Sequence, residues 1–417
     1  MVGSTYYDVV VVGGGVAGVA AACAAADAGA SVCLLERYGT LGGVATVSGV
    51  GTICGLYLRS QRLIAWGCSE FAQTFAERHI LSRGASPLRA RDGLIFLPYE
   101  IPLFHSSLYS ELNARKVTVC LHSTVIGAEL TAELIVPNNT DSNNTDSNNT
   151  VNEKEATQRI SVLKLLNWNM PCAVTCNTVI DASGEALIPI LLGLPCDCEG
   201  VRQAPSLSIG VRGLPLGEDE RSLNVVIAHA LLSSGFGVQY GSLAVLPGSK
   251  RDDHASLKYT LPKPLLLSNF PQHSDLELSA RKNVGPLFEA LKKIIPQLKN
   301  LTQTWVAPQL GFRTGTRPIC NESLTAAAVL ACQKPANGVA IGSWPIEIWG
   351  ENARAEFSYF AEEDYFTVPA GALKARDVTN LFFCGRGICG EERAVAASRV
   401  IGTAMGTGYA AGLLASR

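Results

Sequence analysis

The chain has 417 residues, 47% hydrophobic and 17% charged, which excludes a mainly disordered or solvating protein. Lys+Arg 34 against Asp+Glu 36 gives a formal charge of -2, so nothing global points to nucleic acid or an anionic membrane surface. Forty glycines exceed the usual share of about 7% and predict many tight turns and close backbone approaches. The 13 cysteines are odd in number and follow no secretory signal, so buried reduced thiols in a cytosolic protein are expected.

Residues 9–26 carry no charge and approach the length of a membrane helix. Asp8 directly precedes them and glycines interrupt them, which predicts a strand, a turn and a small-residue helix instead. Residues 7–12 read as a buried parallel strand, 16–28 as an alanine-rich helix, and 31–35 as a second buried strand. That is one βαβ unit. A glycine-dotted loop follows over 39–55. Helical spacing is read over 62–79, with Leu63, Trp66, Phe71, Phe75 and Ile80 as the apolar stripe, and over 99–113.

Short strands are expected at 117–121 and 124–129. Residues 138–150 repeat Asn-Asn-Thr-Asp-Ser with no apolar side chain, which predicts a loop tip on a hairpin. Strands resume at 160–166 and 173–180, ending in the turn Asp181-Ala182-Ser183-Gly184. From residue 200 the texture shifts to prolines and alternating strands, with an amphipathic helix at 286–298. A buried strand at 381–384 and a small-residue helix at 401–414 complete the chain. The expected fold class is α/β. A nucleotide-binding domain is built from residues 1–199 and 369–417, with a mixed α+β cap at 200–368 inserted between them.

The strongest chemical signal is Gly13-Gly14-Gly15-Val16-Ala17-Gly18, between a strand and a helix. Gly13 permits the tight turn, Gly15 lets backbone approach a pyrophosphate, and Gly18 lets helix pack on strand. Val16 and Ala17 open the helix, whose free N–H groups and positive dipole end suit phosphate. Glu36 ends the second strand, where a carboxylate can accept both ribose hydroxyls of a dinucleotide.

The run Glu36-Arg37-Tyr38-Gly39-Thr40-Leu41-Gly42-Gly43 resembles the Glu-Arg and Gly-Gly signature of FAD-binding flavoproteins of the glutathione-reductase-like superfamily. More narrowly, the chain resembles an FAD-dependent oxidoreductase family with tricarballylate dehydrogenase-like and heterodisulfide-reductase-subunit-like members. Further matching segments are residues 179–186, 311–317 with its paired arginines, 344–348, and 380–386 followed by Arg399. The resemblance implies a Rossmann-like domain with non-covalent FAD. It puts Gly42 and Gly43 under the pyrophosphate, with Val44, Ala45 and Thr46 along the isoalloxazine edge. It puts the strand at Val125 beside the adenine. Ala182, Ser183 and Gly184 would close over the adenosine and phosphates, and Gly385 and Arg386 would return to the cofactor. The helix start at Ile401 to Thr403 would aim at the flavin C2 carbonyl and stabilise charge on the reduced ring.

At the reacting end, Arg313 and Arg317 are candidates to clamp a carboxylate or a developing anion. A structural ion pair to Glu322 or Glu347 competes with that role. Glu391, Glu392 and Arg393 follow the cofactor loop, and Glu392 is a candidate to face the ring. Trp349 stands where many relatives implied by the resemblance carry a histidine. His105 and His122 are assigned to packing. No Cys-x4-Cys pair follows Gly43, so disulfide-reductase chemistry is not supported, and no cysteine spacing suits zinc or an iron–sulfur cluster.

The function expected is FAD-dependent transfer of hydride between a small organic substrate, with a tilt toward an anionic one, and flavin N5. The external electron donor or acceptor is unspecified. Rivals are an NAD(P)H-fed flavin monooxygenase or ene-reductase, a non-catalytic FAD-holding component, and a plain NAD-linked dehydrogenase. No second GxGxxG follows a strand, so a separate NAD(P)H domain is not expected.

Overall fold

The uncharged run after Asp8 divides where its glycines fall. In a computed structural model describing residues 5–134, 156–197, 201–263, 265–266, 272–350 and 353–417, the strand Thr5–Val12 ends at Gly13. The helix Val16–Asp27 starts after Gly15 and is buried from Val16 to Ala25. Its small side chains let the C-terminal helix, Ile401–Ala415, lie directly on it. A Cβ on Gly408 would stand 2.1 Å from the Ala17 carbonyl oxygen, so only glycine permits this approach.

Among the described residues, seven strands form the main sheet. The order is Thr118–Cys120, Val32–Leu35, Thr5–Val12, Met170–Asp181, Ala156–Asn167 and Ser123–Leu134, with Leu381–Phe383 also joined to Met170–Asp181. Val12 is opposite both Leu35 and Asp181 in parallel register, and Phe383 is opposite Asp181. Four parallel strands therefore end together, at the edge where doubly wound sheets bind ligands. Ala156–Asn167 and Ser123–Leu134 form an antiparallel hairpin on the far side. The repeat at 138–150 lies outside the described residues. No described helix is long and apolar enough to cross a membrane.

A second sheet runs antiparallel in the order Ser242–Val245, Ala255–Thr260, Ser206–Arg212, Thr302–Val306. Its strands alternate. Leu207, Ile209, Leu257 and Tyr259 are buried against the helices Glu220–Ser233 and Gln272–Ile294. The other face carries Ser206, Ser208, Ser256, Lys258 and Thr260, and Ser208 Oγ donates to the Gly49 carbonyl at 2.8 Å. This polar face looks onto the glycine-dotted loop of the first domain. Leu324, Val329, Ile346, Phe366 and Val368 pack elsewhere and share a core with Ile388, Val395 and Ala410. The expected cap interval, 200–368, thus contains two cores.

Two helices differ from their sequence expectation. The helix expected over 62–79 begins at Glu70, with Ser69 Oγ accepting from Ala72 N at 3.3 Å. Before it, Ser60 Oγ caps a turn through the amides of Arg62 and Leu63, and Gly67 lies against Leu58, so Leu63 is left exposed. The helix expected to start at Pro286 begins instead at Gln272 and contains that proline. Its buried stripe, Leu276, Ala280, Val284, Leu287 and Leu291, runs through the proline, so packing outweighs the missing N–H.

Candidate functional site

The ends of the parallel strands lead into four short turns that meet. Gly42 N donates to the Gly14 carbonyl at 2.8 Å, which pairs the first glycine loop with the second. Gly13 has φ +110° and faces the Ala182 carbonyl, and Ala182 N donates to Val12 at 2.8 Å. A Cβ on Gly18 would stand 1.9 Å from the Gly13 carbonyl oxygen, as expected of the glycine that packs helix on turn. Gly15 is different: a Cβ there would meet nothing within 4 Å. The loop's middle glycine faces open space at the N-terminus of a buried helix.

Glu36 is buried and held by backbone. Its carboxylate accepts from Gly14 N at 2.6 Å and Tyr38 N at 2.8 Å. Burial pushes its pKa up, against the pull of those amides. Arg37 stacks on Tyr38 at 4.8 Å. Val125 is buried beside the strand carrying Glu36, and Ser123 N donates to the Glu36 carbonyl at 2.8 Å. Gly42 and Gly43 start a 3-10 turn, Gly43–Ala45. There Val44 is exposed, Ala45 is buried, and Thr46 Oγ1 donates to the Leu41 carbonyl at 2.5 Å.

Asp181 organises the next turn, accepting from Ser183 N at 3.0 Å and Ile188 N at 2.8 Å. Gly184 has φ +74°, and a Cβ there would come 2.9 Å from Arg386 Nε. Arg386 pairs with Glu185 and donates to the Phe312 carbonyl. Gly385 N donates to Thr407 Oγ1 at 3.0 Å, tying this loop to the C-terminal helix. At that helix's first turn Ile401 is buried, and Thr403 Oγ1 is buried with no hydrogen-bond partner. Open space at Gly15 and an orphaned hydroxyl at Thr403 fit an extended dinucleotide running from one helix N-terminus to the other.

A cleft of about 1290 Å³ adjoins these turns, lined among others by Arg37, Thr46, His105, Glu185, Arg281 and Phe312. His105 packs edge-on against Tyr109, and burial pushes its pKa down. His122 packs at a tilt against Trp168, ring centres 4.2 Å apart, and covers Gly39.

The paired arginines separate. Arg317 is engaged by Asp197 and Glu392, so it and Glu392 are brought together as an ion pair. Arg393 donates to Ser358 Oγ at 3.0 Å, and Glu391 accepts from Ala326 N at 2.8 Å. Arg313 turns the other way. It donates to the Ala204 carbonyl and to Ser206 Oγ, and its guanidinium lies 4.5 Å from the Trp349 ring centre.

Lys258, from the polar face of the cap sheet, lies 4.2 Å from the same ring. Arg399, one residue before the Val400 N-cap of the C-terminal helix, approaches Gln203 Oε1 at 3.4 Å. Among these cations stands one carboxylate, Glu347, which accepts from the indoles of Trp344 at 2.8 Å and Trp349 at 2.6 Å. Burial would raise its pKa, but Arg399, Lys258 and Arg313 bring it below the usual range. Burial, then Arg313, lowers Lys258 to about 8. Burial, then Arg399, lowers Arg313. Gly402 N donates to the Cys54 carbonyl at 2.9 Å, so loop, helix start and charge cluster are neighbours.

Lys258 and Gln203 escaped the sequence reading. The one available signal was alternation: Ser256, Lys258 and Thr260 share a face opposite Leu257 and Tyr259. Arg399 follows a matching segment with no role assigned, and Glu347, expected as an ion-pair partner of Arg313 or Arg317, accepts from two indoles instead. Among the described cysteines all are free, and Cys33 and Cys120 sulfurs sit 3.9 Å apart.

A search of curated proteins finds no match. Solved structures match at low similarity. The Thermovibrio ammonificans THI4 structure is 20% identical, with a TM-score of 0.31, over 47% of this chain and 66% of that one. A geranylgeranyl bacteriochlorophyll reductase-like protein from Thermoplasma acidophilum is 12% identical, with a TM-score of 0.45, over 99% and 78%. The p-nitrophenol 4-monooxygenase from Pseudomonas putida is 13% identical, with a TM-score of 0.41, over 77% and 70%. With TM-scores below 0.5, these likenesses carry no argument about this chain. The family comparison is decisive: the FAD dependent oxidoreductase model matches residues 8–417, so the chain belongs to that family and FAD is its cofactor.

Proposed function

We propose that the protein catalyses oxidation or reduction of a small organic molecule at a flavin lying across the ends of the parallel strands. The observation that supports it most is the pairing of open space at Gly15 with an unpartnered Thr403 hydroxyl at the second helix start. When bound, FAD supplies two-electron chemistry, exchanging hydride with a substrate carbon at flavin N5.

The chain's own residues bind and orient. Gly15, with the amides of Val16 and Ala17, receives the pyrophosphate without a Cβ in the way, while Gly13 and Gly18 hold the turn close to Ala182 and to the helix. Each Glu36 oxygen already accepts one backbone N–H and keeps a lone pair for a ribose hydroxyl. Arg37 and Val125 flank the adenosine. Gly42, Gly43, Val44, Ala45 and Thr46 border the ring. Ala182, Ser183, Gly184, Gly385 and Arg386 close the other side. The helix start at Ile401 and Thr403 supplies a positive dipole end and a hydroxyl beside developing negative charge. Arg313 faces the substrate side, whereas the Arg317–Glu392 pair positions the loop next to it.

The purified protein is expected to be yellow and to bleach when its reduced substrate is added without oxygen. Gly15→Val is expected to abolish flavin content with little change in apo-protein melting, because its Cβ meets no protein atom within 4 Å. Normal flavin content in that variant removes the phosphate-loop assignment. Rapid bleaching by NADPH without substrate replaces this proposal with the monooxygenase or ene-reductase alternative.

A further inference from the structure

The polar face of the cap sheet and the start of the C-terminal helix enclose more basic groups than the protein neutralises. Lys258, Arg313 and Arg399 surround Glu347, yet none of them makes an ion pair with it among the described residues. Both of its oxygens are taken by indole N–H groups instead. Gln203 is buried, and its Oε1 accepts from Trp349 N at 3.2 Å and from Arg399 at 3.4 Å. That leaves its Nε2 as a buried donor with no protein acceptor, and Arg399 Nε is another.

Buried donors are ordinarily satisfied, and buried charges are ordinarily paired. The unmatched groups beside Glu347, Gln203 Nε2 and Arg399 Nε, are donors among cations, which calls for an anionic acceptor. A second feature favours a partner with a carbon skeleton: the Trp349 ring lies along Lys258 and Arg313, and Trp344 packs beside it with Val400 and Cys54, which gives the cations an apolar border. The cluster also borders the helix start at Val400, where the proposed flavin ends, so a molecule held here sits within reach of the redox centre.

We propose that Lys258, Arg313 and Arg399, with the Gln203 amide, form the anchoring end of the substrate site and take the carboxylate of a small organic acid. This rests on the oxidoreductase function proposed above and adds its substrate class. Two guanidiniums can each present a planar pair of N–H donors to a carboxylate, and Lys258 adds a point charge from the cap. Glu347 holds the indole of Trp349, against which Lys258 and Arg313 lie, and keeps the cluster's net charge from rising further. Arg317, paired with Asp197 and Glu392, is not part of this anchor.

The test uses the flavin-loaded protein and a panel of acetate, benzoate, succinate and citrate, against sulfate, inorganic phosphate and glycerol phosphate. Binding is read from tryptophan fluorescence and from the flavin absorption band. At least one carboxylate is expected to saturate at millimolar concentration or below, more tightly than any of the three comparison anions. Lys258→Met and Arg399→Met are each expected to weaken it tenfold or more while retaining flavin. Lys258→Arg is expected to restore most of the affinity. In wild-type protein the affinity is expected to fall as pH rises past about 8, where Lys258 loses its charge.

Absence of saturable binding by every carboxylate overturns the proposal, as does tighter binding of sulfate or either phosphate. So does wild-type affinity in both methionine variants. A protein that lacks flavin yet still binds carboxylates through these residues refutes the redox function and leaves the anion site standing. A yellow protein that binds none refutes the anion site alone.

Discussion

Glu111 and Glu347 each stand among three basic side chains, one between two helices of the first domain and the other beside the cap. Glu111 accepts from His79 Nε2 at 2.6 Å, Arg78 at 3.0 Å and Arg115 at 2.5 Å. Every basic group touches the carboxylate, which closes the network. The Glu347 carboxylate accepts only indole N–H groups, and its cations lie on Trp349 or turn toward Gln203 and backbone carbonyls, Arg399 donating to the carbonyl of Glu347 itself at 3.5 Å. Similar sets of charges thus give a structural rivet in one place and, in the other, cations that pair with no carboxylate among the described residues and leave Gln203 Nε2 and Arg399 Nε unpartnered. What separates them is contact, which charge counting does not see.

The largest effect is expected at the rivet. The His79 hydrogen bond, assisted by Arg115 and opposed by burial, lowers the Glu111 pKa from 4.5 to about 2. A carboxylate depressed in the folded state stabilises fully above its unfolded pKa, and that stability is lost as pH falls through the folded value. Glu111→Gln is therefore expected to cost about 3 kcal/mol at pH 7, by urea unfolding. The cost is expected to shrink between pH 4.5 and about 2. Equal stability of variant and wild type at pH 7 would make the two clusters alike.

Lys258→Met should move stability the other way. The folded pKa of about 8 lies below the ordinary 10.5, so the unfolded chain holds more protons between those values and stability rises with pH across that window. The variant is expected to gain roughly 1–2 kcal/mol at pH 7 by removing a poorly compensated charge, with the gain vanishing near pH 10. Stabilisation paired with weaker carboxylate binding is the mark of a functional charge. Destabilisation at pH 7 would show Lys258 to be structural, like the groups around Glu111. The smallest effect is expected for Arg317→Met on carboxylate affinity, less than threefold by fluorescence titration. A tenfold loss there would return Arg317 to the substrate anchor beside Arg313.

The cofactor half of the site was legible in the sequence because its determinants are local. A strand, a turn of Gly13 to Gly18 and a helix are contiguous, and Glu36 ends the next strand. Glycines mark places where backbone must approach something, and that requirement is written at single positions. The substrate half was legible only in part. Arg313 and Arg317 are four residues apart, and their spacing alone offers one clamp or a structural ion pair. The short pairing of Arg317–Pro318 with Cys196–Asp197 carries Arg317 to Asp197, while Arg313 faces Ala204. Lys258 was hidden because one lysine on an alternating strand is ordinarily solvated; it gains meaning only from what the sheet faces.

By itself the sequence determined the βαβ entry, the cofactor class and the turns that meet at the strand ends. The βαβ entry follows from backbone sterics and short-range periodicity; the cofactor class and the later turns follow from the family resemblance that Glu36 to Gly43 and the later segments carry. The helix from Gln272 through Pro286 and the late helix start at Glu70 were decided by tertiary packing, which outweighs a local proline or an apolar stripe. The gathering of Lys258, Arg313 and Arg399 was decided there too. Their electrostatic coupling depends on distance in space and on exclusion of water, and neither is a function of separation along the chain.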